Sequence, residues 1–248
     1  MSARELTPAI RLVGSGTDAE ARTSPYDCHV FLLDGGGACA LVDTGTGLGT
    51  EVLLRHLDEV AALDRLTHVF VTHYHADHAG GAAAIRAATG AAVCASTGTA
   101  YALATGDEDV TQVAEARRVG VYPEDYRLAS CQVDDVAEDE KSWEIGDLRV
   151  TAYASPGHCD GHVCFLVDDG DTTALCTGDS IFAGGRVSIQ AIPDCRPYEY
   201  RLTASRLARL PVDALLPGHL DLVLAGGAAH LATAAETFDR LVPPPNIV

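Results

Sequence analysis

The chain has 248 residues, 47% of them apolar, enough to bury a full core in a large α/β domain. Its formal net charge is −18 and Lys141 is its only lysine, a balance that repels phosphate backbones and argues against nucleic acid as a partner. No run approaches the roughly 20 apolar residues of a membrane helix, and the N-terminal stretch has no continuous apolar segment of the secretory kind, so a cytoplasmic protein with no membrane partner is expected.

Taken in order, CHVFLLDGGGACALVDTG reads as two short strands joined by a turn at Gly35–Gly37. LGTEVLLRHLDEVAAL places Leu48, Val52, Leu53, His56, Leu57 and Val60 at helical spacing. THVFVTH is a buried strand, DHAGGAAAIRAATG a helix ending at Gly90, and AAVCAS a further strand. This alternation indicates an α/β layered domain. Residues 106–142 break the pattern, being polar, acidic and weakly periodic. An excursion that shapes a substrate site and a solvated connector with one short helix both fit them.

From Trp143 strands return, in WEIGDLRVTAYAS and HVCFLVDDGDTTALCTGD, with hairpin turns at Gly146–Asp147 and Gly170–Asp171. A helix over 197–209 begins at Pro197, PVDALLPGH is a strand leading into a loop, and a last helix over 226–242 stops before Pro243–Pro245. The two halves are built alike, so one domain spanning 1–248 with a sheet-on-sheet core is expected. Eight cysteines include no CxxC pair, and several lie in apolar runs, where they act as small buried hydrophobes rather than a disulfide framework.

The chemistry concentrates in VTHYHADHAGG, residues 71–81. In extended backbone, side chains two apart point the same way, so His73 and His75 can face one point. Asp77 and His78 open a helix whose turn can bring them back to it, while Gly80 and Gly81 allow close packing behind. Imidazole and carboxylate suit zinc, iron or manganese. Three later segments repeat the theme: SPGHCDGH offers His158, CTGDS offers Asp179 and LLPGH offers His219, each beyond the carboxyl end of a strand. Five histidines and two aspartates exceed the needs of one tetrahedral ion. Two ions about 3.5–4 Å apart with one shared carboxylate would use them all.

In this order, HYHADH, SPGHCDGH, TGDS and PGH are similar to the motifs of the metallo-β-lactamase-fold superfamily, and the likeness runs from DTG at Asp43–Gly45 to His219. The resemblance implies an α/β fold of the αββα sandwich type: two mixed sheets face to face, helices outside, metals at one edge. It implies a first ion on His73, His75 and His158, a second on Asp77, His78 and His219, and Asp179 between them. Asp43 would be a supporting residue near the site. His162 would either hydrogen-bond a ligand or sit as a satisfied core histidine; His29, His56, His68 and His230 read as structural.

Departures narrow the branch. Aspartate stands at 179 where the commonest class B β-lactamases carry cysteine, histidine at 75 where flavodiiron proteins carry glutamate, and no large inserted domain of the RNA-processing kind is present. The glyoxalase II-like branch shares the full ligand set. The residues after His219 are expected to form one helix rather than that branch's glutathione-gripping helical domain, and GGR at Gly184–Arg186 matches its pattern only in part. The implied function is hydrolysis of an ester, thioester or lactone of a small molecule by hydroxide held on two zinc ions, with iron or manganese as alternative metals. Asp77 would orient that nucleophile or pass a proton to the leaving group, and Phe182, Arg186 and Tyr198 are candidate substrate contacts. Two other readings stay open: a mononuclear-iron oxygenase of the persulfide dioxygenase type using His73, His158 and Asp179, and a non-catalytic binding module retaining the fold. A homodimer is compatible with such a chain.

Overall fold

Seven strands of the first half form one mixed sheet in strict chain order: β1 (Arg4–Thr7), β2 (Ile10–Gly14), β3 (Val30–Asp34), β4 (Cys39–Val42), β5 (Leu66–Phe70), β6 (Ala92–Ala95) and β7 (Asp135–Val136). The computed structural model describes residues 3–247 and divides into two units, one ending at Ala137 and one beginning at Glu138. Pairing is antiparallel from β1 to β4 and parallel from β4 to β7. The switch falls at β4 because the link to β5 carries α1 (Thr50–Glu59), the crossover that parallel pairing requires. The next crossover holds α2 (Ala76–Ala79) and α3 (Ala82–Thr89), and the last holds α4 (Thr97–Thr105) and α5 (Val113–Arg118).

Leu53 and Leu57 of α1 and Ala82 and Ile85 of α3 pack in one core with Val30, Leu32, Leu41, Val69 and Val93. Each such aliphatic side chain contributes about 1.5–3 kcal/mol on full burial. The expected strands and α1 are present, and the hairpin β1–β2 is an addition to the expectation. The single helix expected from Asp77 to Gly90 is instead broken at Gly80–Gly81. The Asp77 carbonyl accepts from the Cys28 N–H at 3.2 Å, and the Gly81 N–H donates to the Gly45 carbonyl at 3.0 Å. The helical bond between those two groups is thereby replaced. Residues 107–130 are tied down rather than loosely solvated: Arg117 pairs with Glu108 at 2.6 Å, and the Tyr126 hydroxyl donates to the Thr46 carbonyl at 2.9 Å.

The second unit holds a five-stranded mixed sheet of β8 (Ser142–Ile145), β9 (Leu148–Ala154), β10 (Val163–Asp168), β11 (Thr173–Gly178) and β14 (Ala214–Pro217), in the order β14-β11-β10-β9-β8. A small ladder joins β12 (Ile181–Phe182) to β13 (Arg186–Val187). Helices α6 (Pro197–Leu207) and α7 (Gly227–Asp239) cover the sheet through Tyr200, Ala204, Leu207, Leu231 and Phe238, packed with Cys164, Leu175 and Leu215. Only β11 and β14 run parallel, with Gly178 opposite Pro217, so their carboxyl ends lie side by side. Among the described residues, no helix is long and apolar enough to cross a membrane.

Candidate metal centre

The first unit brings His73, His75, Asp77 and His78 together beyond the end of β5. His75 caps α2 in extended conformation, its carbonyl accepting from the N–H groups of His78 and Ala79 at 3.0 Å. That start puts Asp77 and His78 on the first turn. The loop after β4 clamps the turn from behind: the Thr44 N–H and hydroxyl both donate to the His78 carbonyl, at 2.8 and 2.9 Å. A Cβ on Gly80 or Gly81 would collide with the Thr46 or Thr44 carbonyl, so the close packing expected of these glycines is present.

Asp43 is the hub of this half. It is buried, at a backbone φ of +62°, and it accepts the Thr72 N–H at 2.8 Å, the Thr72 hydroxyl at 2.8 Å and His78 Nδ1 at 2.7 Å. A carboxylate can only accept, so His78 carries its proton on Nδ1 and presents the Nε2 lone pair. The Thr72 hydroxyl in turn takes His73 Nδ1 at 3.0 Å, which leaves Nε2 as the lone-pair nitrogen of His73 as well. Cys28 lies beside Asp43 and His78, and burial pushes its thiol up to about 12, against the pull of His78. Tyr122 donates its hydroxyl to Asp77 Oδ1 at 3.2 Å. Burial, and then the Asp77 charge, hold that phenol well above its usual range, so it stays a donor.

In the second unit the sheet topology gathers the remaining three ligand candidates. Asp179 follows β11, His219 follows the neighbouring parallel β14, and His158 lies in the turn between β9 and β10, at the same sheet edge. Gly157, at φ +141°, lets that turn pass against Tyr200, where a Cβ would meet the ring. His158 Nδ1 donates to the Ser188 carbonyl at 2.9 Å, again leaving Nε2 as the lone-pair nitrogen. The Tyr200 hydroxyl accepts the Ser188 N–H at 3.1 Å and points its one proton at the adjoining carbonyls of Asp179 and Ser180, joining the supports of both ligand candidates. His162 Nε2 accepts the Asp179 N–H at 3.3 Å, and its Nδ1 meets the Ser155 hydroxyl at 2.8 Å.

Asp179 stands between two imidazoles. His158 Nε2 lies 3.7 Å from its Oδ2 and His219 Nε2 3.5 Å from its Oδ1. In the first unit, His78 Nε2 lies 3.5 Å from Asp77 Oδ2, and His73 Nε2 lies 3.0 Å from His75 Nδ1. The three imidazole–carboxylate distances exceed a good hydrogen bond. They match the roughly 3.3–3.4 Å between two ligands of a tetrahedral zinc with bonds of about 2.0–2.1 Å. Lone-pair imidazoles, three of them (His73, His78 and His158) oriented by a partner on Nδ1, and carboxylates at ligand spacing form a donor set that fits divalent metal.

The family model described as "Metallo-beta-lactamase superfamily" matches residues 23–219. The chain belongs to this superfamily. Among its relatives, the hydroxyacylglutathione hydrolase of Pseudomonas savastanoi pv. phaseolicola is 29% identical over 77% of this chain and 60% of its own length. The acyl-coenzyme A thioesterase MBLAC2 of Bos taurus is 31% identical over 85% of this chain and 78% of its own. The chain spans between half and 60% of the length of the first hydroxyacylglutathione hydrolases it matches. Among solved structures, a Cronobacter sakazakii metallo-beta-lactamase with a HARLDQ motif superposes with a TM-score of 0.72 at 19% identity, covering 97% of each chain. The subclass B3 metallo-beta-lactamase BJP-1 of Bradyrhizobium japonicum gives 0.71 at 20%, covering 97% of this chain and 93% of its own. At that identity the likeness concerns the fold, and the two mixed sheets with helices match the superfamily's architecture, as expected.

Of the candidate substrate contacts, Tyr198 is 71% exposed on the first turn of α6, and Arg186 is half-buried with Nε on the Ala183 carbonyl at 3.3 Å. Phe182 departs from the expectation: it is fully buried and has no surface to offer a substrate. Thr72, Ser188, Tyr200 and Tyr122, which support the ligand candidates, belong to no ligand motif. Thr72 and Ser188 carry no signal beyond a hydroxyl residue near a motif. Tyr122 and Tyr126 flank the turn residues of YPEDY, a signal for a bend but not for the 5.0 Å ring contact between them.

Proposed function

We propose that this superfamily member is a metal-dependent hydrolase that cleaves a thioester of a small molecule. The observation that carries the reading is Asp179, with one histidine nitrogen facing each of its two carboxylate oxygens at 3.5 and 3.7 Å, an arrangement suited to bridging two ions. In this reading His73, His75 and His158 hold one zinc ion, Asp77, His78 and His219 hold the other, and Asp179 is shared. Two such ions supply a water of lowered pKa and polarise a carbonyl oxygen. The chain's own residues do the rest. Asp43 and the Ser188 carbonyl fix ring orientation at His78 and His158. His162 holds the backbone of Asp179, and Asp77 orients the attacking water. A thioester is preferred over an ester or lactone because the relatives are named for glutathione and coenzyme A thioesters. Tyr198 and Arg186 offer surface to the acyl or carrier group.

The test is a panel of acyl-CoA, hydroxyacylglutathione and lactone substrates, with zinc and with iron. Expected are thioester turnover that chelator abolishes and zinc restores, and loss of both turnover and bound metal in His75→Ala. Chelator-resistant turnover, or wild-type turnover in His75→Ala, overturns the assignment.

A further inference from the structure

Asp77 uses its two oxygens differently. Oδ2 faces His78 Nε2 at 3.5 Å, while Oδ1 accepts the Tyr122 hydroxyl at 3.2 Å. Tyr122 comes from the excursion that follows α5, not from any ligand motif. Its ring is held from two sides, by Tyr26 in an edge-on contact at 6.3 Å between centroids and by Tyr126 at 5.0 Å. Tyr126 is itself fixed by its hydroxyl on the Thr46 carbonyl at 2.9 Å and by packing with Ala76, Val113 and Leu128. Arg117 braces the same segment, with one nitrogen on the Tyr126 carbonyl at 2.8 Å and another on Glu108 at 2.6 Å. A phenol mounted this firmly is a fixed donor. An Asp side chain has two rotatable bonds, and a donor on one oxygen selects one setting of the other.

We propose that Tyr122 is a positioning residue for the second ion: by holding Asp77 Oδ1, it aims Oδ2 at the point His78 Nε2 also faces. This rests on the reading of Asp77 and His78 as ligands of one ion. It gives the excursion a role in the metal centre, and it makes occupancy by the second ion depend on the fold of 107–130. Partners that orient a ligand typically govern metal affinity by about 10–100-fold. Asp77 keeps its ligand oxygen when the phenol is lost, so the lower end applies.

The experiment titrates metal-free full-length protein with zinc against a chromophoric chelator, resolving the tighter and weaker ions. Tyr122→Phe keeps the ring and its contacts and removes only the hydroxyl. Expected is an approximately ten-fold rise in Kd for one ion, the same ion that Asp77→Asn weakens, with the other unchanged. Tyr126→Phe removes a hydroxyl from the same aromatic cluster without touching Asp77 and is expected to leave both affinities as in wild type. Wild-type affinities in Tyr122→Phe overturn the inference, and so does an equal loss in Tyr126→Phe, which would trace the effect to loosening of the excursion. Asp77→Asn separates this inference from the reading beneath it. If that variant binds both ions at wild-type affinity, the ligand assignment itself fails; if it weakens one ion while Tyr122→Phe does not, only the role of Tyr122 fails.

Discussion

Asp43→Asn is the sharpest single perturbation of the first half of the site. The substitution keeps size and shape, and asparagine tolerates the left-handed backbone that Asp43 adopts at φ +62°, so no backbone strain is added. Oδ1 still accepts the Thr72 N–H at 2.8 Å. What changes is the atom facing His78 Nδ1 at 2.7 Å, where an acceptor oxygen becomes an NH2 donor. Two donors cannot share that contact, so His78 either rotates away or moves its proton to Nε2. In both cases the Nε2 lone pair is withdrawn from the metal. Loss of such a supporting carboxylate costs about 10–100-fold in affinity, or about 1.4–2.8 kcal/mol at the usual conversion. A lost charge-assisted hydrogen bond is worth about 1.5–3 kcal/mol, the same range from an independent estimate. Chelator competition on purified protein measures the affinity, and circular dichroism checks that the fold is kept. A folded Asp43→Asn protein that binds both ions at wild-type affinity would refute the proposed proton placement on His78.

Two further outcomes test burial and electrostatics away from the metals. Brief iodoacetamide treatment of native protein at about pH 8 should modify Cys195, the one cysteine not buried, and spare Cys28 and Cys164, whose thiols burial pushes up to about 12. Mass spectrometry reads the sites, and labelling of Cys28 or Cys164 in folded protein contradicts the packing described. Asp134 is held down to about 2 from its ordinary 3.8 by Arg86 and by the Val93 N–H. Because the folded-state value is depressed, its contribution is present above about pH 4 and fades as pH falls toward 2. The difference in urea midpoint between wild type and Asp134→Asn should therefore narrow from about pH 5 to 3, and a constant difference would exclude that ion pair as its source.

Much of this was legible in the residues. Continuous apolar runs such as VFLL and CALV mark strands, since a strand buried on both faces has no polar positions to alternate. The ligand candidates could be read because each lies beyond the carboxyl end of a strand, where turn chemistry exposes it. Other features depended on partners distant in sequence. The break at Gly80–Gly81 arises from Gly45 and Cys28 taking the helical hydrogen bonds, and nothing in DHAGG reports those partners. The helix Thr97–Thr105 is built of small residues without an apolar stripe, although Ser96, accepting the Thr99 N–H at 3.2 Å, is a readable start signal. Ser188 supports His158 from thirty positions away, and Tyr122 reaches Asp77 from forty-five. Phe182 shows the converse: an aromatic beside a motif suggests a substrate contact, and here packing buries the whole ring.

Zinc-edge anomalous diffraction from crystals grown with zinc tests the central claim most directly. The account predicts two peaks per chain, one among His73, His75 and His158 and one among Asp77, His78 and His219, with the Asp179 carboxylate between them. No peak at these residues, or zinc bound only elsewhere on the acidic surface, would contradict it.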